Sequence, residues 1–232
     1  MFFLPEEEKN HLQEAWRGLR GYIRKWCAYQ AHPFRRGNGT EDRHPLSRVL
    51  SLKGMITPDE VLLLHFLAQE AEGGCVVEIG SYHGKSTVAL ALGSLAGNKT
   101  RVYAIDPYFP FEGPLRRKFG PSDRVALLQN LLIANVCEQV WMIHTTSEQA
   151  SRGWKEPVAL LWVDGDHSYE GVKNDFACWD PHLISGGILA LHDSLDRRLG
   201  PQRLIQEILA SGGFERVGIV ETTTLLQKKG SP

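Results

Sequence analysis

The chain has 232 residues, of which 42% are hydrophobic, enough for one large α/β domain with a full core and an extension. Its 26 basic and 27 acidic residues leave a formal net charge of -1, which gives no electrostatic reason to expect nucleic acid or an anionic membrane as partner and favours a small molecule. Four scattered cysteines, Cys27, Cys75, Cys137 and Cys178, have neither zinc nor dithiol spacing; together with the early break of the N-terminal apolar run at Pro5 and the lack of a membrane-length apolar stretch, they predict a cytoplasmic protein.

Glu6 to about Tyr29 carries Leu12, Trp16, Leu19, Ile23 and Trp26 at three- and four-residue steps, which predicts an amphipathic helix whose apolar face packs on the main domain or, as a homodimer contact, on a second subunit. His32 to Gly54 has no period and is rich in Arg, Gly, Asn and Pro, an irregular linker by composition. Residues 1–56 are accordingly assigned to a helical extension and linker, and 57–232 to the main domain. That domain opens on Thr57-Pro58-Asp59-Glu60, where Thr caps a helix, Pro takes its first turn and Glu60 reaches back as in a capping box.

Cys75 to Asn98 reads as a buried strand ending at Ile79, a glycine turn, and a helix from about Gly84 to Leu95, a plan that aims unpaired backbone N–H groups at one point above a sheet. A P-loop needs four residues between its first Gly and Gly-Lys-Ser/Thr, yet only Ser81, Tyr82 and His83 separate Gly80 from Gly84. A dinucleotide fingerprint needs Gly where Tyr82 stands. Glu78-Ile79-Gly80 followed by a small residue and a later Gly instead resembles the first motif of class I S-adenosylmethionine-dependent methyltransferases, and that resemblance assigns Glu78, Gly80, Ser81, Tyr82, Gly84 and Ser86 to the cofactor.

Arg101 to Ile105 is a second buried strand, and Asp106 at its carboxyl end can accept hydrogen bonds from both hydroxyls of a ribose. Pro107 to Pro121 sets Tyr108, Phe109, Phe111 and Phe119 among Arg116, Arg117 and Lys118 without any period, a lid or substrate wall, or else a surface that packs on the N-terminal helices. A helix from Ser122-Asp123 to about Asn135 follows, then a strand over Val140 to Ile143 and a short helix from Ser147, whose turn is expected to flank an adenine. Further strands are predicted over Val158–Val163 and Gly187–Leu191, helices over 169–183 and 202–211, and a closing hairpin over 214–227. Alternation of strand and helix implies a Rossmann-like, doubly wound, seven-stranded and mostly parallel α/β sheet whose last strand is inserted antiparallel.

The segment from Ala159, ALLWVDGDHSYEGVKNDFACWDPHLISGGILALHDS, resembles nearly residue by residue the bacterial small-molecule O-methyltransferases related to catechol O-methyltransferase. With Glu78-Ile79-Gly80 and Asp106-Pro107 the resemblance covers about Val76 to Ser194 and leaves out the N-terminal third. Asp164 and Asp193 end two strands that should be neighbours, about 5 Å apart, and their mutual repulsion calls for something positive between them. In the family a magnesium ion plays that part; the resemblance implies Asp164, His192 and Asp193 as ligands, with His192 better suited to manganese, iron or zinc. If the strand continued through His192 and Asp193 their side chains would face opposite ways, so both reach one site only if the chain turns there. Without a metal, Asp164 or Asp193 would bind the methionine amino group or a substrate hydroxyl.

Methyl transfer from a sulfonium needs an oriented, deprotonated acceptor, and His167, one turn past Asp164, is the first candidate for general base, with His192 second. Asp166 and Asp175 are expected to cap and solvate the following helix. The resemblance thus implies an S-adenosylmethionine-dependent O-methyltransferase, expected to act on a small molecule such as a phenol, sugar or secondary metabolite. Two alternatives stand beside it: a nucleotide-phosphate enzyme built on Gly84-Lys85-Ser86, and a catalytically silent module that binds through its N-terminal helices.

Overall fold

A computed structural model of the protein describes residues 45–113 and 116–230; the amphipathic helix expected over Glu6–Tyr29 and most of the linker lie outside them. The described chain runs α1 (Pro45–Ser51), α2 (Pro58–Gln69), β1 (Cys75–Ile79), α3 (Lys85–Ala96), β2 (Val102–Ile105), β3 (Phe111–Glu112), β4 (Lys118–Phe119), α4 (Pro121–Ala134), β5 (Val140–Ile143), α5 (Ser147–Ser151), β6 (Val158–Val163), α6 (Tyr169–Trp179), β7 (Leu183–Leu191), α7 (Gly200–Ser211), β8 (Phe214–Val220) and β9 (Thr223–Lys228).

Seven of these strands form one sheet in the order β5-β2-β1-β6-β7-β9-β8, parallel from β5 to β7, with the last strand of the chain inserted antiparallel between β7 and β8. This is the expected doubly wound topology. The two central strands β1 and β6 are buried at every position, as strands covered by helices on both faces must be. One side of the sheet rests on a core that includes Val77, Leu161, Trp179, Leu189 and Ile208.

Three differences from the sequence-based expectation have local causes. Residues 45–51, inside the stretch expected to be an irregular linker, form α1, which buries Leu46 and Val49 and packs on α2 and α3. The helix expected over 169–183 ends at Trp179 and tightens into a single 3₁₀ turn, Asp180–His182, at Pro181, which has no N–H to continue the α ladder. Strand β7 begins at Leu183 rather than Gly187, because Leu183 pairs with Val158 and the register then shifts before Leu160 pairs with Ile188. Gly186, at φ +79°, sits within that irregularity.

The start of α2 bears most directly on the site. Thr57 Oγ1 accepts from the Glu60 N–H at 3.2 Å, and Glu60 Oε2 accepts from the Thr57 N–H at 2.9 Å, the reciprocal capping box read from the sequence. Glu60 nevertheless has no exposed surface. Its other oxygen reaches away from its own helix, toward the carboxyl ends of β6 and β7.

Candidate active site

The carboxyl ends of β1, β2, β6 and β7 open into one cavity of about 860 Å³, within the range of small-molecule sites. Gly80, Ser81, Tyr82, Gly84, Ser86, Asp106, Ser147, Asp164, His167, His192 and Asp193, all singled out from the sequence, line it. Glu78 does not. It lies fully buried beneath the glycine turn, where Thr87 Oγ1 donates to its Oε2 at 2.5 Å and its Oε1 has no partner. Burial pushes its carboxyl up to about 7, against hydrogen bonds from Ser86 and Thr87, with the Asp164 charge adding to the rise.

At the β1 end the backbone is bent tightly. Gly80 has φ +87°, and a Cβ there would overlap the Asp164 carbonyl, so the turn can pass β6 only as glycine. Tyr82, not a glycine, also has φ +46°. Asp106 holds it there: Oδ2 accepts from the N–H groups of Ser81 and Tyr82 at 3.1 and 3.0 Å, while Oδ1 accepts from the Tyr108 N–H at 2.9 Å. With three of about four acceptor positions filled, Asp106 keeps room for one further donor rather than for both hydroxyls of a ribose. Burial raises its carboxyl from the ordinary range, and the backbone donors counter that rise.

At the β6–β7 end the chain does turn after Leu191. Asp193 takes φ +48°, which brings its carboxylate to the same side as the His192 ring, 3.8 Å from Nδ1. His192 is clamped: Nδ1 lies 2.8 Å from Asp164 Oδ1, and Nε2 lies 3.4 Å from Glu60 Oε1. Burial alone would lower its pKa, but the charge and hydrogen bond of Asp164, with Glu60 and Asp193, raise it to about 11. Glu60 shows the counterpart: burial raises its carboxyl, and the His192 hydrogen bond and charge, with Thr57 and Thr223, bring it down to about 2. Thr222 and Thr223 also donate to Glu60 Oε1 at 3.0 and 2.9 Å.

His167 faces the same carboxylates. Its Nδ1 lies 3.0 Å from the Gly165 carbonyl, which can only accept, so Nδ1 carries a proton and Nε2 is the nitrogen turned to the carboxylates. Nε2 is buried without a hydrogen-bond partner and stands 3.4 Å from Asp164 Oδ1 and 3.5 Å from Asp193 Oδ2. A lone pair against two carboxylates is repulsive until a proton or a cation enters.

Metal-ligating atoms of Asp164, His167 and His192 all lie within 4.8 Å of one another. His192 belongs to this group by proximity, with Nδ1 2.8 Å from Asp164 Oδ1 and Nε2 3.4 Å from Glu60 Oε1. Asp193, whose Oδ2 lies 3.5 Å from His167 Nε2, borders the same group, so Asp164, His167 and Asp193 form a second set that fits a cation beside the expected Asp164, His192 and Asp193. One nitrogen and two carboxylates suit manganese, iron or zinc more than magnesium.

Asp166 caps as expected, accepting from the Ser168 N–H and hydroxyl at 2.9 and 2.8 Å. Asp175 is not solvated. It is buried on the inner face of α6 and lines the cavity, and burial raises its carboxyl to about 6 despite a hydrogen bond from Ser147. From the turn expected to flank an adenine, Thr146 and Ser147 reach the cavity.

Aromatic rings form the remaining wall. Tyr82 stacks on His83 with centroids 3.7 Å apart and meets Phe119 edge-on at 5.4 Å, and Phe119 stacks on Phe111 at 5.9 Å. The aromatic loop, expected to have no period, contains the small antiparallel pair β3–β4. Glu60 and the segment Gly54–Thr57 also line the cavity. Sequence reasoning read Glu60 only as a local cap, because its contact with β7 is long-range.

Residues 77–194 match the family described as a methyltransferase domain. The chain belongs to that family. Its sheet has the Rossmann-like methyltransferase topology, and among the described residues no helix is long and apolar enough to cross a membrane. The O-methyltransferase from Bacillus cereus in complex with S-adenosylhomocysteine is 18% identical, with a TM-score of 0.61 over 82% of this chain and 93% of that one. TomG, the O-methyltransferase from Streptomyces achromogenes involved in tomaymycin synthesis, was solved with S-adenosylmethionine; it is 18% identical, with a TM-score of 0.58 over 82% and 92% of the two chains. The uncharacterized protein y4gI of Sinorhizobium fredii is 28% identical over 175 residues, covering 68% of this chain but 18% of that much longer relative.

Proposed function

We propose that this methyltransferase uses S-adenosylmethionine to methylate a hydroxyl group of a small, largely aromatic acceptor. The observation that carries the proposal is the shared cavity: Asp106 and the glycine turn stand at one end, and His167, between Asp164 and Asp193, lines the same space at the other. The aromatic wall supports a phenolic acceptor over a sugar. Family membership favours this reading over a phosphate site on Gly84-Lys85-Ser86.

Transfer from a sulfonium releases a neutral thioether, so the protein's task is to hold the acceptor oxygen in line and take its proton. His167 suits the second part. Its Nδ1 donates to Gly165, which fixes the ring, and its Nε2 accepts; the flanking carboxylates of Asp164 and Asp193 would stabilise the imidazolium so formed. His192 and Glu60 orient Asp164 from behind. Asp164, His167 and Asp193 would alternatively hold a divalent cation, which when bound would lower the pKa of the acceptor hydroxyl.

The test begins with calorimetry of the purified chain against S-adenosylhomocysteine, ATP and NAD. Micromolar binding of the first alone is expected, and binding of ATP in its place would overturn the reading. Turnover of a phenolic acceptor panel is then followed in excess chelator and after adding manganese. Loss and restoration assign the cation to Asp164, His167 and Asp193, whereas full turnover without metal leaves His167 as the proton acceptor. His167→Ala should lower turnover by roughly 10²- to 10⁴-fold in either case, with S-adenosylhomocysteine affinity unchanged.

A further inference from the structure

Lys85 is not accounted for by the chemistry above. It is the first residue of α3, where a positive charge opposes the helix dipole, and it lines the cavity. Among the described residues no carboxylate answers it, and the one influence on its titration is burial, which lowers its pKa. Of the carboxylates that line the cavity, Glu60 is engaged with His192, Asp123 with His83 at 2.9 Å, Asp106 with backbone N–H groups, and Asp164 with His192. Arg117, the other lysine or arginine side chain on the lining, belongs to the aromatic loop.

The direction of Lys85 is fixed by Gly54. A Cβ at position 54 would overlap the Lys85 Cβ and stand 2.9 Å from its Cδ, so the lysine stem runs along a slot left open by the glycine. The stem of Lys85 is therefore confined along the wall, and partial burial of a lysine without a counter-ion is a cost that an anionic ligand would offset.

We propose that Lys85 receives the carboxylate of the methionine end of S-adenosylmethionine, an inference that rests on the function proposed above. With the ribose at Asp106 and the methyl directed to His167, the amino-acid end lies over the glycine turn, beside Lys85 and Gly54. A carboxylate leaving water there needs a cation, and Lys85 supplies it. The Gly-Lys-Ser sequence thus binds an anion as its likeness to a P-loop suggests, but a carboxylate in place of a phosphate.

The test compares S-adenosylmethionine with decarboxylated S-adenosylmethionine by calorimetry, using the full chain and its Lys85→Gln variant. The variant should lose roughly ten- to a hundredfold in affinity for S-adenosylmethionine, as expected for a charged hydrogen bond, and none for the decarboxylated ligand. Gly54→Ala, which displaces the lysine stem, should show the same selectivity in weaker form. Equal loss for both ligands would mean that Lys85 only shapes the turn, and no loss for either would place the carboxylate elsewhere; each overturns the proposal while leaving the methyltransferase reading intact. Failure of the unmodified chain to bind either ligand would overturn that reading, and this inference with it.

Discussion

At the β1–β2 end of the cavity one carboxylate organises backbone, whereas at the β6–β7 end side chains organise one another. Asp106 spends three of its acceptor positions on main-chain N–H groups and so holds the turn from Ser81 to Tyr108 in one shape. Beyond β6, Glu60, His192, Asp164, His167 and Asp193 form a chain of alternating carboxylates and imidazoles drawn from α2, the β6 loop and the β7 turn. The first arrangement is local and suits a ligand that is held the same way throughout a reaction. The second concentrates charge around His167, where a proton or a cation has to be received.

The difference is sharpest at Glu60, which joins the second region to the rest of the fold. Glu60→Ala removes one partner of a buried ion pair and leaves the hydroxyls of Thr222 and Thr223 without their acceptor. It should lower the free energy of unfolding by about 3 to 5 kcal/mol, measured by urea denaturation. Glu60→Gln, which keeps the shape and loses the charge, should cost less. A loss for Glu60→Ala of only about 1 kcal/mol, the ordinary value of an N-cap, would show that the contact with His192 contributes nothing and that the second region is as local as the first.

The first region is tested at Asp106. Asp106→Ala should weaken S-adenosylhomocysteine binding by about 1.5 to 3 kcal/mol, and the backbone N–H groups of Ser81 and Tyr82 should lose protection from hydrogen exchange. Weaker binding with unchanged protection would mean that Asp106 acts on the ligand alone and that the turn keeps its shape without it. Faster exchange with unchanged binding would mean the reverse, a structural carboxylate that the ligand does not touch.

This contrast also explains what the sequence could tell. The glycine turn, Asp106 and the strands were legible because each depends on spacing within a few residues or on an unbroken apolar run, as in Cys75–Ile79 and Val158–Val163. The mostly parallel, doubly wound character of the sheet followed from the alternation of strand and helix, whereas its strand order was read from the structure. The charge chain was legible only in its parts. Asp164, His167, His192 and Asp193 stood out as residues, but how they pair depends on Glu60, about 130 positions earlier in the sequence than His192, and on the left-handed turn at Asp193. Asp175 was misjudged for a related reason: an acidic residue on a helix is normally solvated, and only the packing of α6 turns this one inward.

The aromatic loop gives the smallest expected effect and connects the two regions. Phe119 meets Tyr82, whose backbone is held by Asp106, and stacks on Phe111 at the cavity rim. If its ring serves the acceptor, Phe119→Ala should raise the acceptor KM by roughly fivefold, the loss of about 1 kcal/mol for one aromatic contact, and leave S-adenosylhomocysteine affinity and the turnover number unchanged. Steady-state kinetics with a phenolic acceptor, beside calorimetry of the cofactor product, separates the two quantities. An equal fall in cofactor affinity would show that Phe119 acts through Tyr82 on the glycine turn. The aromatic wall would then belong to the first region, and the acceptor would be held by the charge chain alone.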